Sequence, residues 1–390
     1  MLSRTPLLCL AVAAVALIAA GSASHAEPPV APAAARPPTS VAESQLASVV
    51  PVRAPRVDSD PSTYSACAAP SVLKLHGLDD ARDLASLATC APGDPWSRLA
   101  DREQAAALHC DVAGRPVDLA RVLEGALPLD PATAAHVHAL YRAGQAQGRR
   151  GDAFGLVGDS LTVDANFLRP FAPGAGHVVL PPEVQAALPL GRFSATSFTA
   201  PRAAKVGVRA TWPLTPRGFN RPSPLEEMVD AESPAYAVVL YGANDALWRT
   251  DSIELLVRGF DTALTAIVDA LEARGIIPIL TTVPKHGRER GWPDCAATPT
   301  SGGNERFAVQ AAVLSADVAE LACRRHLPLV DLRWALEPLL DHGVGPDGVH
   351  LSVHPGGGGV LDASGLECGY NVRNLVTLRE LGRVVDAAAW

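Results

Sequence analysis

The sequence lacks the signatures of metal-binding and nucleic-acid-binding proteins. It has no Cys-x-x-Cys pair and no cysteine and histidine spacing typical of a zinc site, so we expect no bound metal. It also has no basic stripe and no basic patch interleaved with aromatic residues. The formal net charge is −8, and the acidic residues are not concentrated in a terminal tail. These features argue against nucleic acid as a partner.

The apolar run near the N-terminus is too short to span a bilayer comfortably. It extends from Leu7 to Ala20, follows Arg4, and precedes small residues at Ser24-His25-Ala26, with Gly21-Ser22-Ala23 as a second candidate for cleavage. A lipid anchor would require a cysteine just after the run, whereas Cys9 lies inside it. We therefore expect a cleaved signal peptide over residues 1–26. This predicts a secreted or periplasmic protein without stable membrane insertion.

Removal of Cys9 with the signal peptide leaves an even number of cysteines in an oxidising compartment, so we expect disulfides. Six cysteines allow 15 pairings. The six are Cys67, Cys90, Cys110, Cys295, Cys323 and Cys368. Proximity in the sequence favours Cys295 with Cys323, and a second pair among the first three. Buried free thiols are the alternative.

The remaining chain divides by composition into a linker, a small cap and a large domain. Residues 27–60 are rich in proline, alanine and serine and predict a disordered linker. Residues 61–150 show short helical patterns broken by proline and glycine, and predict a mainly helical, cysteine-containing cap. Its last helix is expected from Asp130-Pro131, an N-cap followed by proline, to about Gln147. Residues 151–390 form the main domain of an expected monomer.

The main domain alternates short apolar runs with helical patterns. Strands are expected at Phe154–Val157, Tyr236–Tyr241, Ile276–Thr282 and Leu327–Leu332. Nearly continuous apolar runs are typical of parallel strands buried on both faces. Helices are expected between the later strands, one closed by Gly275 and one from Asn304 to about Arg325. The pattern predicts an α/β fold, a three-layer α/β/α sandwich with a mostly parallel sheet.

The segment from Tyr370 to Val384 has the spacing of an amphipathic helix that packs on the sheet. It carries the polar residues Asn371, Arg373 and Asn374. These side chains either line a cleft or take the more common capping and surface roles.

Three short motifs follow the predicted strands and together supply the groups of a serine esterase. Ser160 follows an apolar run that ends in Gly158-Asp159, and Asn244 follows another run in Gly242-x-Asn244. Near the C-terminus, Asp347 precedes His350 by three residues, so one loop can hold both acid and base. Side chains beyond the carboxyl ends of parallel strands share one edge of the sheet. The set provides a nucleophile, a base, an orienting acid and an oxyanion donor.

Other residues could take these roles. His354 lacks an acid three residues before it, and His342 is adjacent to Asp341, whose side chain is expected to diverge from it in a loop. Asp245 could be the acid, but capping of the turn or helix after the strand is the more common role of such a residue. The chain has no Gly-x-Ser-x-Gly elbow, so it differs from a conventional α/β-hydrolase.

At these motifs, residues 152–388 resemble the GDSL, or SGNH, hydrolase family. The resemblance implies that Ser160 is the nucleophile, that Asp347 and His350 are acid and base, and that Asn244 donates to the oxyanion. Asp159 and Gly242 support the site. The resemblance also implies a glycine donor, for which Gly207 is the candidate, although its context departs from the family pattern. The backbone N–H of Ser160 completes the oxyanion hole.

The resemblance implies a serine hydrolase that cleaves carboxylic esters through an acyl-enzyme, without metal or organic cofactor, and the N-terminal pattern predicts that this enzyme is exported. We expect short acyl esters, such as acetyl esters, of glycans or small lipids as substrates. The same groups could instead transfer the acyl group to another alcohol, as in an acyltransferase. A catalytically silent envelope or carbohydrate-binding protein is a further alternative.

Overall fold

The computed structural model describes residues 108–176, 178–247, 253–285, 302–345 and 347–389. The predicted signal peptide, the linker and most of the predicted cap lie outside the described residues. So do Cys67, Cys90 and Cys295, and the pairings predicted for them stay predictions. No helix in the described ranges is both long and apolar enough to cross a bilayer.

The described part of the chain contains a sheet of five parallel strands in the order β2-β1-β3-β4-β5. The strands are β1 (Arg150–Gly158), β2 (Ala203–Ala204), β3 (Pro234–Leu240), β4 (Ile277–Thr281) and β5 (Leu329–Val330). The four predicted strands are confirmed, with β5 shorter than expected. The sequence did not predict β2, because two alanines form no apolar run.

The helices are distributed along the chain between and after the strands. They are α1 (Leu119–Leu123), α2 (Pro131–Ala146), α3 (Ser160–Val163), α4 (Pro182–Ala187), α5 (Ala195–Thr199), α6 (Pro224–Glu232), α7 (Ala243–Leu247), α8 (Ile253–Glu272), α9 (Gly302–Arg325), α10 (Leu332–Leu336) and α11 (Gly369–Ala388). Short 3-10 turns occur at Arg169–Phe171, Trp212–Leu214, Leu340–Gly343 and Gly365–Glu367. The helix expected to begin at Asn304 begins two residues earlier, at Gly302.

Alternating strand residues build two cores, one on each face of the sheet. Phe154 and Leu156 pack in a cluster with residues of α2 and α11, whereas Val157 packs in a second cluster with residues of α6, α8 and α9. In β3, Val238 joins the first cluster and Val239 the second. The alternation follows from the two-residue period of a strand. It confirms the three-layer α/β/α sandwich.

The helix α2 belongs to one of these layers. Asp130 accepts from the backbone N–H of Thr133 at 2.8 Å, as the predicted N-cap requires. Val137 is fully buried in the same core as the sheet residues. This last helix of the predicted cap packs against the sheet and not on a separate core.

The register of the sheet brings the ends of β1, β2 and β3 to one edge. Gly158 at the end of β1 pairs with Leu240 at the end of β3 and with Ala204 of β2. The segments that follow β1 and β3 therefore start side by side, at the carboxyl edge where sites of such sheets form.

Candidate active site

Ser160 is the first residue of the short helix α3, immediately after β1. Asp159 precedes it as the N-cap and accepts from the backbone N–H of Leu161 at 3.0 Å. A Cβ at Gly158 would lie 2.3 Å from Thr162 Oγ1 and 2.7 Å from the Leu240 carbonyl oxygen. A glycine is therefore required for the sharp turn that presents Ser160 at the edge of the sheet.

Ser160, His350 and Asp347 form one hydrogen-bonded chain. His350 Nε2 lies 2.9 Å from Ser160 Oγ, and His350 Nδ1 lies 2.6 Å from Asp347 Oδ2. The other carboxylate oxygen of Asp347 accepts from the backbone N–H groups of Val349 and His350, both at 2.9 Å. A further bond from the Gly345 N–H to the His350 carbonyl, at 2.7 Å, closes the loop. The imidazole of His350 is thus held between the carboxylate of Asp347 and the hydroxyl of Ser160.

The carboxylate and the imidazole stabilise each other's charged forms. Burial alone would raise the pKa of Asp347, but the hydrogen bond and charge of His350 bring that pKa below its ordinary value. Burial alone would lower the pKa of His350, yet the hydrogen bond and charge of Asp347 raise it above its ordinary value. The charges of Asp159 and Asp164 act in the same direction on His350. The arrangement favours an imidazole that accepts a proton from Ser160.

Asn244 lies in α7, directly after β3, and is 6% exposed. Its side-chain amide donates to Asp159 Oδ2 at 3.2 Å, which joins the ends of the two strands. Gly242, at the preceding turn, has φ +123°, and a Cβ there would lie 2.4 Å from Val283 Cγ2. A side chain at this position would clash with Val283, so the turn that leads into Asn244 requires a glycine here.

Asp159 is completely buried between these groups. Burial raises its pKa to about 6. The N–H of Leu161, the charges of Arg373 and His350 and the amide of Asn244 oppose that rise. Asp159 thus contacts both the segment that carries Ser160 and the side chain of Asn244.

Gly207 lies with Asn244 in the lining of one open cavity of about 320 Å³. Its φ of +74° is in the left-handed region that glycine adopts readily. The cavity is lined by Gly207, Val208, Arg209, Thr211, Trp212, Thr215 and Asn244. The structure therefore brings Gly207 to the side of Asn244, and its role as an oxyanion donor stays a prediction.

Asp245 has a role different from the expected cap. Both of its carboxylate oxygens lie 3.3 Å from the backbone N of Ala210, which donates to them from 35 residues upstream. Burial raises the pKa of Asp245 to about 7, against the opposing effect of the Ala210 N–H. Asp245 thus holds the loop that lines the cavity, and it is not part of the Ser160 chain.

The alternative histidines contact other groups. His342 is buried, and its Nδ1 lies 3.3 Å from the Glu337 carbonyl oxygen and 3.6 Å from Glu337 Oε2. His354 Nδ1 accepts from the N–H of Gly356 at 2.9 Å, and its Nε2 lies 3.3 Å from Ser364 Oγ. Of the candidates, His350 is the one placed against Ser160.

The polar residues of α11 were expected to line a cleft or to take capping and surface roles, but they are fully buried and tie loops together. Arg373 donates from Nη1 to the Leu161 carbonyl at 2.5 Å and from Nη2 to Thr162 Oγ1 at 3.2 Å. Asn374 accepts from the N–H of Leu168 at 2.8 Å.

Asn371 holds a different loop, since it donates to the carbonyl oxygens of Gly357 and Val360 at 2.9 and 2.7 Å. The support that Arg373 and Asn374 give to the segment after Ser160 was missed, because their partners lie more than 200 residues away in the sequence. The available signal was their position among apolar neighbours on an otherwise buried helix.

No group of three or more histidine, cysteine, aspartate or glutamate side chains in the described ranges could hold a metal ion.

Within the described part of the chain, Cys110 and Cys368 form a disulfide. Cys110 is therefore not a member of the pair expected among Cys67, Cys90 and Cys110, and the remaining choice, Cys67 with Cys90, stays a prediction. Cys323 is also disulfide-bonded, and its partner lies outside the described residues.

Comparison with known proteins gives one family match. The family described as GDSL-like lipase/acylhydrolase matches residues 156–359, which is more than half of the 390 residues. No curated protein matches the chain.

Solved structures to which the chain is similar include the following three. A lipase/acylhydrolase from Enterococcus faecalis is 20% identical, with 59% of this chain and 95% of that chain covered and a TM-score of 0.36. A GDSL-like lipase from Bacteroides thetaiotaomicron is 13% identical, with coverage of 63% and 98% and a TM-score of 0.37. An acetylxylan esterase from Geobacillus stearothermophilus is 17% identical, with coverage of 60% and 95% and a TM-score of 0.37.

Proposed function

This chain belongs to the GDSL-like lipase/acylhydrolase family and is an ester-bond hydrolase, and from that premise we propose that it is an exported serine esterase acting on short acyl esters. One observation carries the proposal. His350 Nε2 lies 2.9 Å from the Ser160 hydroxyl while its Nδ1 lies 2.6 Å from Asp347. Nucleophile, base and orienting acid within hydrogen-bond reach are the requirement of acyl transfer through serine.

In the proposed reaction, Ser160 Oγ attacks the ester carbonyl as His350 Nε2 takes its proton. Asp347 holds the imidazole in the tautomer that accepts this proton and stabilises the imidazolium. The tetrahedral intermediate collapses, and the alcohol leaves with the proton from His350. Water then attacks the acyl-enzyme with His350 again as base, which releases the acid and restores Ser160.

The oxyanion of each tetrahedral intermediate requires N–H donors placed in advance. We assign this role to the Asn244 amide, the backbone N–H of Ser160 and the backbone N–H of Gly207. One N–H of Asn244 bonds Asp159 at 3.2 Å, and Asn244 also lines the cavity, so its second N–H is available to a substrate. The placement of Gly207 in the same lining supports it as the third donor.

A small ester substituent, acyl or alcohol, fits the dimensions of the cavity beside Asn244. The cavity beside Asn244, about 320 Å³, is at the small end of the ~300–1,000 Å³ typical of ligand pockets. Val208 is the one aliphatic side chain in its lining. With Val208 and the Trp212 ring as its apolar groups, the lining offers little to a long hydrocarbon chain on either side of the ester, since such a chain gains its binding free energy from extended apolar contact.

Export is proposed from the N-terminal pattern of residues 1–26 and from the disulfide Cys110–Cys368. Disulfides persist in oxidising compartments and are rare in the cytosol. The mass of the protein recovered outside the cytoplasm, compared with that of the full chain, tests whether cleavage occurs after Ala26 or after Ala23. Recovery of the intact chain in the cytoplasm alone would contradict export.

The catalytic proposal is tested by Ser160→Ala, with hydrolysis of p-nitrophenyl acetate as the assay. Activity should fall by several orders of magnitude, because the acyl-enzyme cannot form, while the thermal midpoint stays nearly unchanged. His354→Ala is a matched control at a nearby histidine that does not contact Ser160, and it should retain most activity. Retention of more than about a tenth of the activity in Ser160→Ala would reject Ser160 as nucleophile.

The same assay distinguishes hydrolysis from acyl transfer. With a competing alcohol present, an acyltransferase forms the new ester in preference to acetate, whereas a hydrolase releases acetate. A protein that forms no acyl-enzyme and releases no product from any ester would instead match the catalytically silent alternative.

A further inference from the structure

The cavity beside Asn244 has one aromatic wall. Trp212 lines it together with the hydroxyl-bearing side chains of Thr211 and Thr215. Asn244 belongs to the same lining, so the proposed oxyanion site opens directly into this space. An ester whose carbonyl is held at Asn244 therefore has one of its two substituents, acyl or alcohol, in the cavity.

The aromatic wall is held in position from outside the cavity. Arg217 is not part of the lining, and its guanidinium carbon lies 5.7 Å from the centroid of the Trp212 ring. The guanidinium is fixed in turn by Glu227, with Nη1 3.0 Å from Oε2. A cation at this distance from an indole ring is attracted to it. The ion pair thus contacts the ring through Arg217, which lies outside the cavity lining.

The neighbouring wall is polar and ordered. The Thr215 hydroxyl donates to the Thr211 carbonyl at 2.9 Å, so its oxygen keeps acceptor capacity for a ligand. The loop is anchored by the bonds from the Ala210 N–H to Asp245, at 3.3 Å to each oxygen. The cavity thus combines one flat apolar face with hydrogen-bonding groups around it.

We propose that Trp212 is the platform on which the sugar ring of a glycan ester stacks while its acyl carbonyl is held at Asn244. The inference rests on the proposed esterase function and assigns the alcohol part of the substrate. A sugar ring has a C–H face that packs on an indole and a rim of hydroxyl groups that needs donors and acceptors, which this wall supplies. A lipid alcohol needs a continuous apolar wall, and Val208 alone does not provide one.

Two acetate esters that differ only in the alcohol test the platform, namely ethyl acetate and singly O-acetylated methyl glucoside. In Trp212→Ala, the KM for the glucoside ester should rise about tenfold, because a lost ring contact of ~1.4 kcal/mol corresponds to a factor of ten. The ratio of kcat/KM for the glucoside ester to kcat/KM for ethyl acetate should therefore fall about tenfold, since ethyl acetate does not reach the platform. Trp212→Phe, which keeps an aromatic face, should recover most of the lost affinity.

The ion pair between Arg217 and Glu227 gives a second test. Glu227→Gln removes the charge that fixes Arg217 and should raise the KM for the glucoside ester in the same direction but less. The platform is overturned if Trp212→Ala changes both esters equally or neither ester. If the wild type hydrolyses neither ester, the esterase proposal fails separately. In that case, saturation-transfer NMR of the glucoside ester with Ser160→Ala protein still tests the platform, and equal signals with and without Trp212→Ala would overturn it.

Discussion

The side-chain amide of Asn244 donates a hydrogen bond to the buried carboxylate of Asp159 across 3.2 Å. Asp159 is itself fixed by the N–H of Leu161 at 3.0 Å. The residue before the proposed nucleophile therefore orients the proposed oxyanion donor, although the two lie 85 residues apart in the sequence. Because one N–H of the amide is used in this bond, the direction of the other is set before substrate binds.

Asn244→Ala tests whether this amide acts on the transition state. An oxyanion donor interacts most strongly with the developing charge, so kcat should fall by roughly 10²–10³ with little change in KM. Asn371→Ala is the matched control, because Asn371 is a buried asparagine that bonds only loop backbone groups. It should lower the thermal midpoint and spare kcat in the folded protein. An unchanged kcat beside a lowered midpoint in Asn244→Ala would assign Asn244 to structure.

The pH dependence of the reaction should report the coupling between His350 and Asp347. Catalysis needs neutral His350, so kcat/KM should rise as pH increases through the pKa of this imidazole. Asp347 raises that pKa, so the acid limb should lie above the ordinary histidine value of about 6.5. Asp347→Asn removes the charge that favours imidazolium, so the limb should move to lower pH while kcat falls by up to about 10⁴. A pH–rate profile of both proteins checks this, and a wild-type limb at or below the ordinary value would contradict it.

The strands and the hydrogen-bonded chain could be predicted from the sequence because their signals are local. The run Tyr236 to Tyr241 ends directly before Gly242, and Asp347 and His350 share one loop. The support of Ser160 by Arg373 could not be predicted. A buried guanidinium is stable only when its partners are in place, and here they lie more than 200 residues away.

The two-residue strand β2 carries no apolar run, so its position in the sheet depends on pairing with β1 alone. The disulfide partner of Cys110 could not be predicted from proximity in the sequence either, since the fold places Cys110 beside Cys368, 258 residues downstream.

The disulfide Cys110–Cys368 should stabilise the segment that carries His350. The N–H of Cys110 donates to the Val353 carbonyl at 2.9 Å, and Cys368 directly precedes α11. Replacement of both cysteines by serine should lower the free energy of unfolding by about 2–5 kcal/mol, because the unlinked unfolded chain gains conformational freedom. Urea unfolding of the wild type and of the double variant, both without reducing agent, measures this difference, and equal free energies of unfolding would contradict it.

Peptide mapping of the non-reduced protein should find the Cys110–Cys368 link, and we also expect a link between Cys295 and Cys323. Quantitative labelling of all six thiols in natively exported protein would contradict both links.

Arg373 should couple the stability of the fold to the geometry of Ser160. Its guanidinium is fully buried, donates to the Leu161 carbonyl and Thr162 Oγ1, and lies 3.5 Å from the centroid of the Phe167 ring. Burial lowers the pKa of Arg373 to about 10, so the group is still charged at neutral pH. The residue thus places a positive charge directly beneath the turn that presents Ser160.

Arg373→Met keeps the length of the side chain and removes the charge and the donors. It leaves the Leu161 carbonyl unpaired and the nearby carboxylates without their cation, so the free energy of unfolding should fall by about 3–5 kcal/mol. Arg373→Lys keeps the charge but loses the two-pronged set of guanidinium donors. Its free energy of unfolding should therefore lie between those of Arg373→Met and the wild type. Thr162→Val removes only one acceptor and should cost about 1–3 kcal/mol. Urea unfolding measures these free energies. The kcat of Arg373→Met, measured at temperatures well below its thermal midpoint, should also fall, because the turn no longer holds Ser160 2.9 Å from His350. Wild-type stability and kcat in Arg373→Met would show that neighbouring packing alone positions the turn.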